Sequence, residues 1–457
     1  MPRGWRCALY SVPRDYTRPR AGTVRLAVAM LPATSRRARR GSVFFNPGGP
    51  GGGGLGAASY WERYVGPSVR RAYDLVTWDP RGVVHSVPPL LCLPPSATSA
   101  IGQVPDAVLT DREMARRLRR TAAIGRGCAT KPLTRNVTTM DNVRDLDRLR
   151  QAVRDPRLSY VGISYGTVIG AVYANVFPTR YRALALHGVV DSVTWFRPTF
   201  AFTTDDAVQL QKTLGAALAA CDDAPAKCAF APGAPGKYAK LLAVVRAAAL
   251  ARRNSEDFTG LVGTAQQLVS GPEAGKAAAV LEQAYRELVT RHEADSPELQ
   301  EAAQEPQEPN TWSSAADAAS SNVRDATICS DAGRMPSAWR AWIAAAHQAD
   351  RRATTFGAQS VLDRSACAAW RAFGDTYRGG WAQGAAPILL LNQVWDHATP
   401  LAWAQTMTHR LGRAHLLTIS GWGHGVQTPC GRKAVDHYLL TGRPSTTSYC
   451  SDGRGLF

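Results

Sequence analysis

Apolar runs in the first two hundred residues are short and alternate with helix-like stretches. Residues 23–30, 43–45, 74–78, 158–161 and 183–186 read as strands. Strands alternating with helices predict a mainly parallel sheet with helices on both faces. From about residue 201 the pattern changes. Long Ala-rich helical stretches follow at 204–220, 238–252 and 275–292, and strand signals are weak as far as about 380. Strand and helix then return, with apolar strands at 387–391 and 415–419. The expected division is a core contributed by 1–200, an inserted helical cap at 201–380, and the rest of the core at 381–457. No internal repeat is visible.

One junction in this pattern carries chemistry. Val161-Gly162-Ile163-Ser164-Tyr165-Gly166-Thr167 lies between the strand at 158–161 and an Ala- and Val-rich helix at 168–176. It reads as G-x-S-x-G in the strand–turn–helix setting that a nucleophile elbow requires. Glycine on either side of the turn lets the backbone bend sharply without Cβ clashes, so the Ser164 hydroxyl is raised above the sheet.

The strand at 43–45 runs into Asn46-Pro47-Gly48-Gly49-Pro50-Gly51-Gly52-Gly53-Gly54. Acyl transfer places negative charge on a carbonyl oxygen, and preorganised N–H donors stabilise it. A glycine-dense loop here and the residue after the nucleophile are the usual donors, which points to Gly49 and Tyr165. A flexible linker is the bland alternative. A phosphate loop fits poorly, because no Gly-Lys-Ser/Thr follows.

After the strand at 387–391 comes Asn392-Gln393-Val394-Trp395-Asp396-His397, and after the strand at 415–419 comes Gly421-Trp422-Gly423-His424-Gly425. Asp396 and His424 stand where a triad acid and a general base belong. The order Ser164, Asp396, His424 is the α/β-hydrolase order, unlike those of chymotrypsin and subtilisin. His397 is a rival base; His187 and His85 read as structural. With no His-Glu-x-x-His and no Cys-x-x-Cys, a metal has little support, and the mechanism needs no cofactor.

Together these segments resemble the secreted tripeptidyl aminopeptidases, α/β-hydrolase relatives of proline iminopeptidase. The likeness also takes in Ser11-Val12-Pro13-Arg14-Asp15-Tyr16, Trp78-Asp79-Pro80-Arg81-Gly82, Asp141-Asn142-Val143-Arg144-Asp145-Leu146-Asp147 and a TAP-like tail running from Asp396 through Cys430 to Cys450. The resemblance implies a serine exopeptidase that releases short peptides from free N-termini. It also implies acidic residues of the cap that hold the substrate's ammonium. Asp331 is the first choice for that role, with Asp205 and Asp206 beside it; a helix cap or a surface ion pair is the alternative. Two positions depart from the family. His187 stands where relatives usually carry Asp, and Gly53 where they often carry Ser, which bears on substrate preference. An esterase or small-molecule amidase on the same scaffold is the competing reading, and a binding protein that has kept the fold is a third.

Composition changes the picture in two places. The formal net charge is +18 and arginine carries it, lysine being rare; basic clusters sit at Arg36, Arg37, Arg39 and Arg40 and at Arg116, Arg117, Arg119 and Arg120. Without an interleaved aromatic motif this reads as a solvated basic surface, with no nucleic-acid partner. No apolar run is long enough for a membrane span, so no stable membrane association is expected; oligomeric state is open. An acidic patch at Glu293, Asp295, Glu298, Glu301, Glu305 and Glu308 reads as a solvated loop.

Nine cysteines fall in sequential pairs Cys92–Cys128, Cys221–Cys228, Cys329–Cys367 and Cys430–Cys450, leaving Cys7 over. Such bridges argue for an oxidising compartment, extracellular or at the cell envelope. The opening Met1-Pro2-Arg3-Gly4-Trp5-Arg6 has no apolar signal segment. Relatives tend to carry extra residues and another cysteine upstream. Either an exported form begins before Met1, or this is a cytoplasmic homologue with reduced cysteines.

Overall fold

The computed structural model describes residues 1–457 apart from 95, 98–106, 252–253, 305–314, 452 and 454. Its strands are β1 (Arg6–Pro13), β2 (Thr23–Leu31), β3 (Gly41–Asn46), β4 (Tyr73–Trp78), β5 (Leu158–Ile163), β6 (Tyr181–His187), β7 (Ile388–Trp395), β8 (Ala414–Trp422) and β9 (Tyr449–Ser451). They form one sheet in the order β1-β2-β4-β3-β5-β6-β7-β8-β9. β1 and β2 pair antiparallel, as do β2 and β4; every later pairing is parallel. This is the α/β-hydrolase fold.

The central strands β3, β4 and β5 are buried at every position, as expected of parallel strands covered on both faces. Two apolar layers do the covering. One packs Phe45, Trp61, Tyr64 and Leu389 against Val435 and Tyr438. The other packs Phe44, Trp78 and Tyr160 against Val143, Leu146, Val168 and Val172. The strands expected from the sequence are all present, each one to four residues longer than expected. β1 and β9 were not anticipated: β1 is exposed at most positions and β9 has three residues, so neither carries a strong apolar signal.

The segment expected as cap divides in two. Helices Ala201–Asp223, Ala234–Leu250, Ser255–Ser270 and Ala274–Ala284 share their own apolar cluster, which includes Leu214, Leu241, Leu261 and Leu281. Helices Ala315–Ala332, Trp339–Arg352 and Gly357–Leu362 instead contribute Val323, Trp342 and Val361 to the main core, alongside Leu118 of helix Asp111–Ala129. Of the helical stretch expected at 238–252, Arg252 lies outside the described residues.

The acidic patch is not simply a loop. Glu298 and Glu301 fall in helix Pro297–Gln304, whose Leu299 is fully buried in the cap core. Glu305 and Glu308 lie outside the described residues.

Four disulfides, Cys92–Cys128, Cys221–Cys228, Cys329–Cys367 and Cys430–Cys450, join the pairs read from the sequence, and Cys7 is free and exposed. No described helix is long and apolar enough to cross a membrane.

Candidate active site

Ser164 sits between the end of β5 and helix Tyr165–Val176 with φ 56° and ψ −126°. A side-chain-bearing residue rarely adopts positive φ, and here the surroundings fix it. Its N–H donates to the His187 carbonyl at 3.0 Å. The flanking glycines are required by space: a Cβ on Gly162 would lie 2.3 Å from the Gly166 oxygen, and one on Gly166 2.8 Å from the Asn46 oxygen.

The glycine loop after β3 closes directly onto this turn. A Cβ on Gly48 would lie 2.8 Å from Ser164 Cβ and 2.9 Å from the Tyr165 nitrogen. The Gly48 N–H is spent on Asn46 Oδ1 at 2.9 Å. Neither the Gly49 N–H nor the Tyr165 N–H has a hydrogen-bond partner among the described residues, so both remain available as donors.

Asp396 follows β7 and is 1% exposed. It accepts from the N–H groups of Ala398 and Thr399 at 2.9 and 2.8 Å and from the Thr399 hydroxyl at 2.9 Å. Burial alone would lift its pKa. The nearby His424, with these donors, holds it below the usual carboxylate range.

His424 follows β8 between Gly423 and Gly425, both at positive φ. Its Nδ1 lies 3.0 Å from each carboxylate oxygen of Asp396, and its Nε2 has no partner among the described residues. Burial pulls the imidazole pKa down, but the charge and hydrogen bond of Asp396 outweigh it and leave it raised above 6.5. No hydrogen bond joins Nε2 to Ser164 Oγ; such contacts often tighten only when substrate binds. A cavity of about 570 Å³ opens beside His424, lined in part by Pro47, Tyr60, Ile163 and Val426.

The other histidines stand apart. The His397 ring lies 6.2 Å from that of His424, its Nδ1 is buried without a partner, and burial pushes its pKa down to about 4. His187 is fully buried between Tyr64 Oη at 2.9 Å and Gln393 Oε1 at 3.0 Å. It therefore braces the ends of β6 and β7 and leaves no ring nitrogen free for a ligand. His85 pairs with Asp79 at 2.8 Å. Arg81 does not pair with Asp79; it is buried against Asp145 at 2.6 Å.

The three candidate acids of the cap part company. Asp331 is a correction to the sequence reading. It is fully buried, and its carboxylate already accepts from the Thr139 N–H and hydroxyl and from Trp195 Nε1, leaving it no access to a ligand. Asp205 accepts from Trp403 Nε1 at 2.6 Å. Asp206 is half-buried and accepts no hydrogen bond among the described residues. Burial, with Asp363 close by, pushes its carboxyl up to about 7 against the pull of Arg364, and it also feels Asp396.

Three residues at this site were not anticipated. Thr399, which touches both Asp396 and His424 Nδ1 (3.1 Å), lies three residues past Asp396, and a hydroxyl close after an acid in a loop is a readable signal of local hydrogen bonding. Trp195, its ring tilted against that of Tyr165 at 5.4 Å, and Arg364, over Phe202 at 4.2 Å, come from distant segments and carry no local signal.

Comparison with known proteins bears on the fold and the family. The α/β-hydrolase fold family matches residues 41–220, and the TAP-like protein family matches residues 353–450. A tripeptidyl aminopeptidase of Streptomyces lividans is 30% identical over 466 residues, covering 97% of this chain and 83% of that protein. The serine protease Hip1 of Mycobacterium tuberculosis is 36% identical over 42% of this chain and 37% of its own length. A carboxylesterase B of Mycobacterium tuberculosis is 30% identical over 41% of this chain and 36% of its own length.

Proposed function

Because this chain belongs to the tripeptidyl aminopeptidase family of α/β-hydrolases, we propose that it is a serine exopeptidase releasing short peptides, tripeptides above all, from free N-termini. Ser164, His424 and Asp396 form its triad, with Gly49 and Tyr165 as oxyanion donors. The observation that carries this reading is the His424 ring. Nδ1 is held by Asp396 while Nε2 is left without a partner.

The chemistry follows from that polarity. His424 Nε2 takes the Ser164 proton as Oγ attacks the scissile carbonyl. The oxyanion is met by the N–H groups of Gly49 and Tyr165. Collapse breaks the C–N bond, and His424 delivers the proton to the leaving amine. Water then cleaves the acyl-enzyme by the reverse relay. Asp396 keeps the proton on Nδ1 and stabilises the imidazolium. The cavity beside His424 gives room to the departing peptide, and Asp206 receives the substrate's ammonium. The four disulfides suit an extracellular or cell-envelope setting.

The likeness to a carboxylesterase supports a second reading, an esterase on the same scaffold. One assay separates the two: a chromogenic tripeptide anilide with free and acetylated N-termini, and a simple aryl ester, each with the protein and with Ser164→Ala. Cleavage confined to the free-amine peptide and lost in Ser164→Ala supports the aminopeptidase. Ester turnover alone, or indifference to acetylation, overturns it.

A further inference from the structure

The helical insertion holds a buried cation, Arg364, with no ion-pair or hydrogen-bond partner for its guanidinium among the described residues. Arg364 is 7% exposed. It lies over the Phe202 ring at 4.2 Å and over the Trp195 ring at 5.1 Å. Aromatic faces attract the charge but accept none of the in-plane N–H bonds, of which guanidinium has five. None of its nitrogens is among the fully buried polar atoms without a partner, so each keeps a sliver of accessible surface. Such a group is costly to bury. Burial, aided by Arg324, pushes its pKa down to about 10 despite Asp206, Asp331 and Asp363 nearby.

One aromatic ring, Trp195, separates Arg364 from the elbow. Trp195, beneath it, meets the ring of Tyr165, the residue after Ser164, at a tilt of 38°. Phe202, also beneath it, stands four residues before Asp206 on one face of helix Ala201–Asp223. Arg364 and Asp206 feel each other's charge, yet no ion pair joins them. The backbone around Arg364 is fixed from outside: Asp363 pairs with Arg117 at 2.8 Å, and Cys367 is bridged to Cys329.

Resting on the aminopeptidase reading, we propose that Arg364 is a specificity-determining residue that binds an acidic side chain within the N-terminal peptide acylated onto Ser164. A carboxylate matches the planar guanidinium with two parallel hydrogen bonds and neutralises the charge, which a backbone carbonyl does not. A peptide carrying a free ammonium and one acidic side chain then complements both groups, Asp206 and Arg364.

The test is a set of tripeptide anilides: all-alanine, and single Asp or single Lys substitutions at each position. These are assayed with the wild type, Arg364→Met and Arg364→Lys. At one position the wild type should favour Asp over Lys. Arg364→Met should lower that ratio roughly 10- to 100-fold, mainly through KM, and Arg364→Lys should retain part of it. Arg364→Met should also melt no lower than wild type, since it removes an unpaired buried charge. No acid preference in the wild type, or an equal loss on Asp and Ala peptides in Arg364→Met, overturns the proposal.

Failure of the parent reading looks different: no free-amine anilide is cleaved while an aryl ester is. Calorimetry of Ser164→Ala with the free Asp-containing tripeptide then decides the role of Arg364. Affinity lost on adding Arg364→Met supports it, and unchanged affinity overturns it.

Discussion

His424 Nδ1 stands 3.0 Å from both carboxylate oxygens of Asp396, an arrangement that leaves Nε2 as the ring's free nitrogen. Removing the charge but keeping the shape should misdirect the tautomer. Asp396→Asn should lower kcat by about four orders of magnitude, with the fold retained by circular dichroism. A loss below tenfold would argue against Asp396 as the triad acid.

The same pair sets a pH dependence. Burial lowers the His424 pKa and Asp396 more than restores it, so the free enzyme should lose kcat/KM as pH falls through a value above 6.5. Because the folded pKa is raised, the stability this pair contributes is fully present below pH 6.5 and is lost as pH rises through the folded value. A pH–rate profile whose acid limb does not move in Asp396→Gln would contradict the assignment.

Asp206 makes a prediction with opposite signs for activity and stability. Its folded pKa of about 7 is raised above the ordinary 3.8. The folded protein therefore holds an extra proton between these values, and stability falls as pH rises across that window. Asp206→Asn should raise the melting temperature at pH 8 relative to wild type, and less so at pH 5. It should also raise KM for free-amine peptides roughly 10- to 100-fold, while sparing an aryl ester. A lower melting temperature at pH 8 with unaltered KM would assign Asp206 a structural role.

Asp331 should behave in the contrary way. It accepts from the Thr139 backbone and hydroxyl and from Trp195 Nε1, and Thr139 reaches Tyr165 Oη at 2.7 Å. Asp331→Ala strands buried donors and should destabilise by about 2–4 kcal/mol, as read from chemical denaturation. Selective loss of free-amine substrates at full stability would restore it as an amine-binding acid.

The Cys329–Cys367 bridge spans 38 residues and ties helix Ala315–Ala332 to the segment carrying Arg364. Closing a loop of that size is worth about 3–4 kcal/mol in the chain-entropy account. Cys329→Ala/Cys367→Ala should therefore lower the unfolding midpoint clearly. An unchanged midpoint would mean that the pairing adds no constraint.

Local sequence determined the parts whose chemistry is written in consecutive residues. The elbow needs Gly162 and Gly166 because a Cβ at either would strike backbone, and that requirement is visible as G-x-S-x-G. Strands buried on both faces must be largely apolar, so β3 to β7 and the loops that end them could be placed, and with them Ser164 and Asp396; β8 is only partly buried, but its apolar Leu416, Leu417 and Ile419 sufficed to place it and His424 after it. The cysteine pairs were legible because each closes a loop between sequence neighbours in the cysteine order.

Tertiary structure alone decided which charges are free. Asp331, Asp205 and Asp206 look alike in one dimension, yet indole donors from Trp195 and Trp403 occupy the first two and leave the third open. It likewise divided the helical insertion between its own core and the main one, and set Arg364 over Phe202 and Trp195. Hydrogen-bond satisfaction and desolvation depend on residues more than a hundred positions apart, and no local pattern encodes those distances.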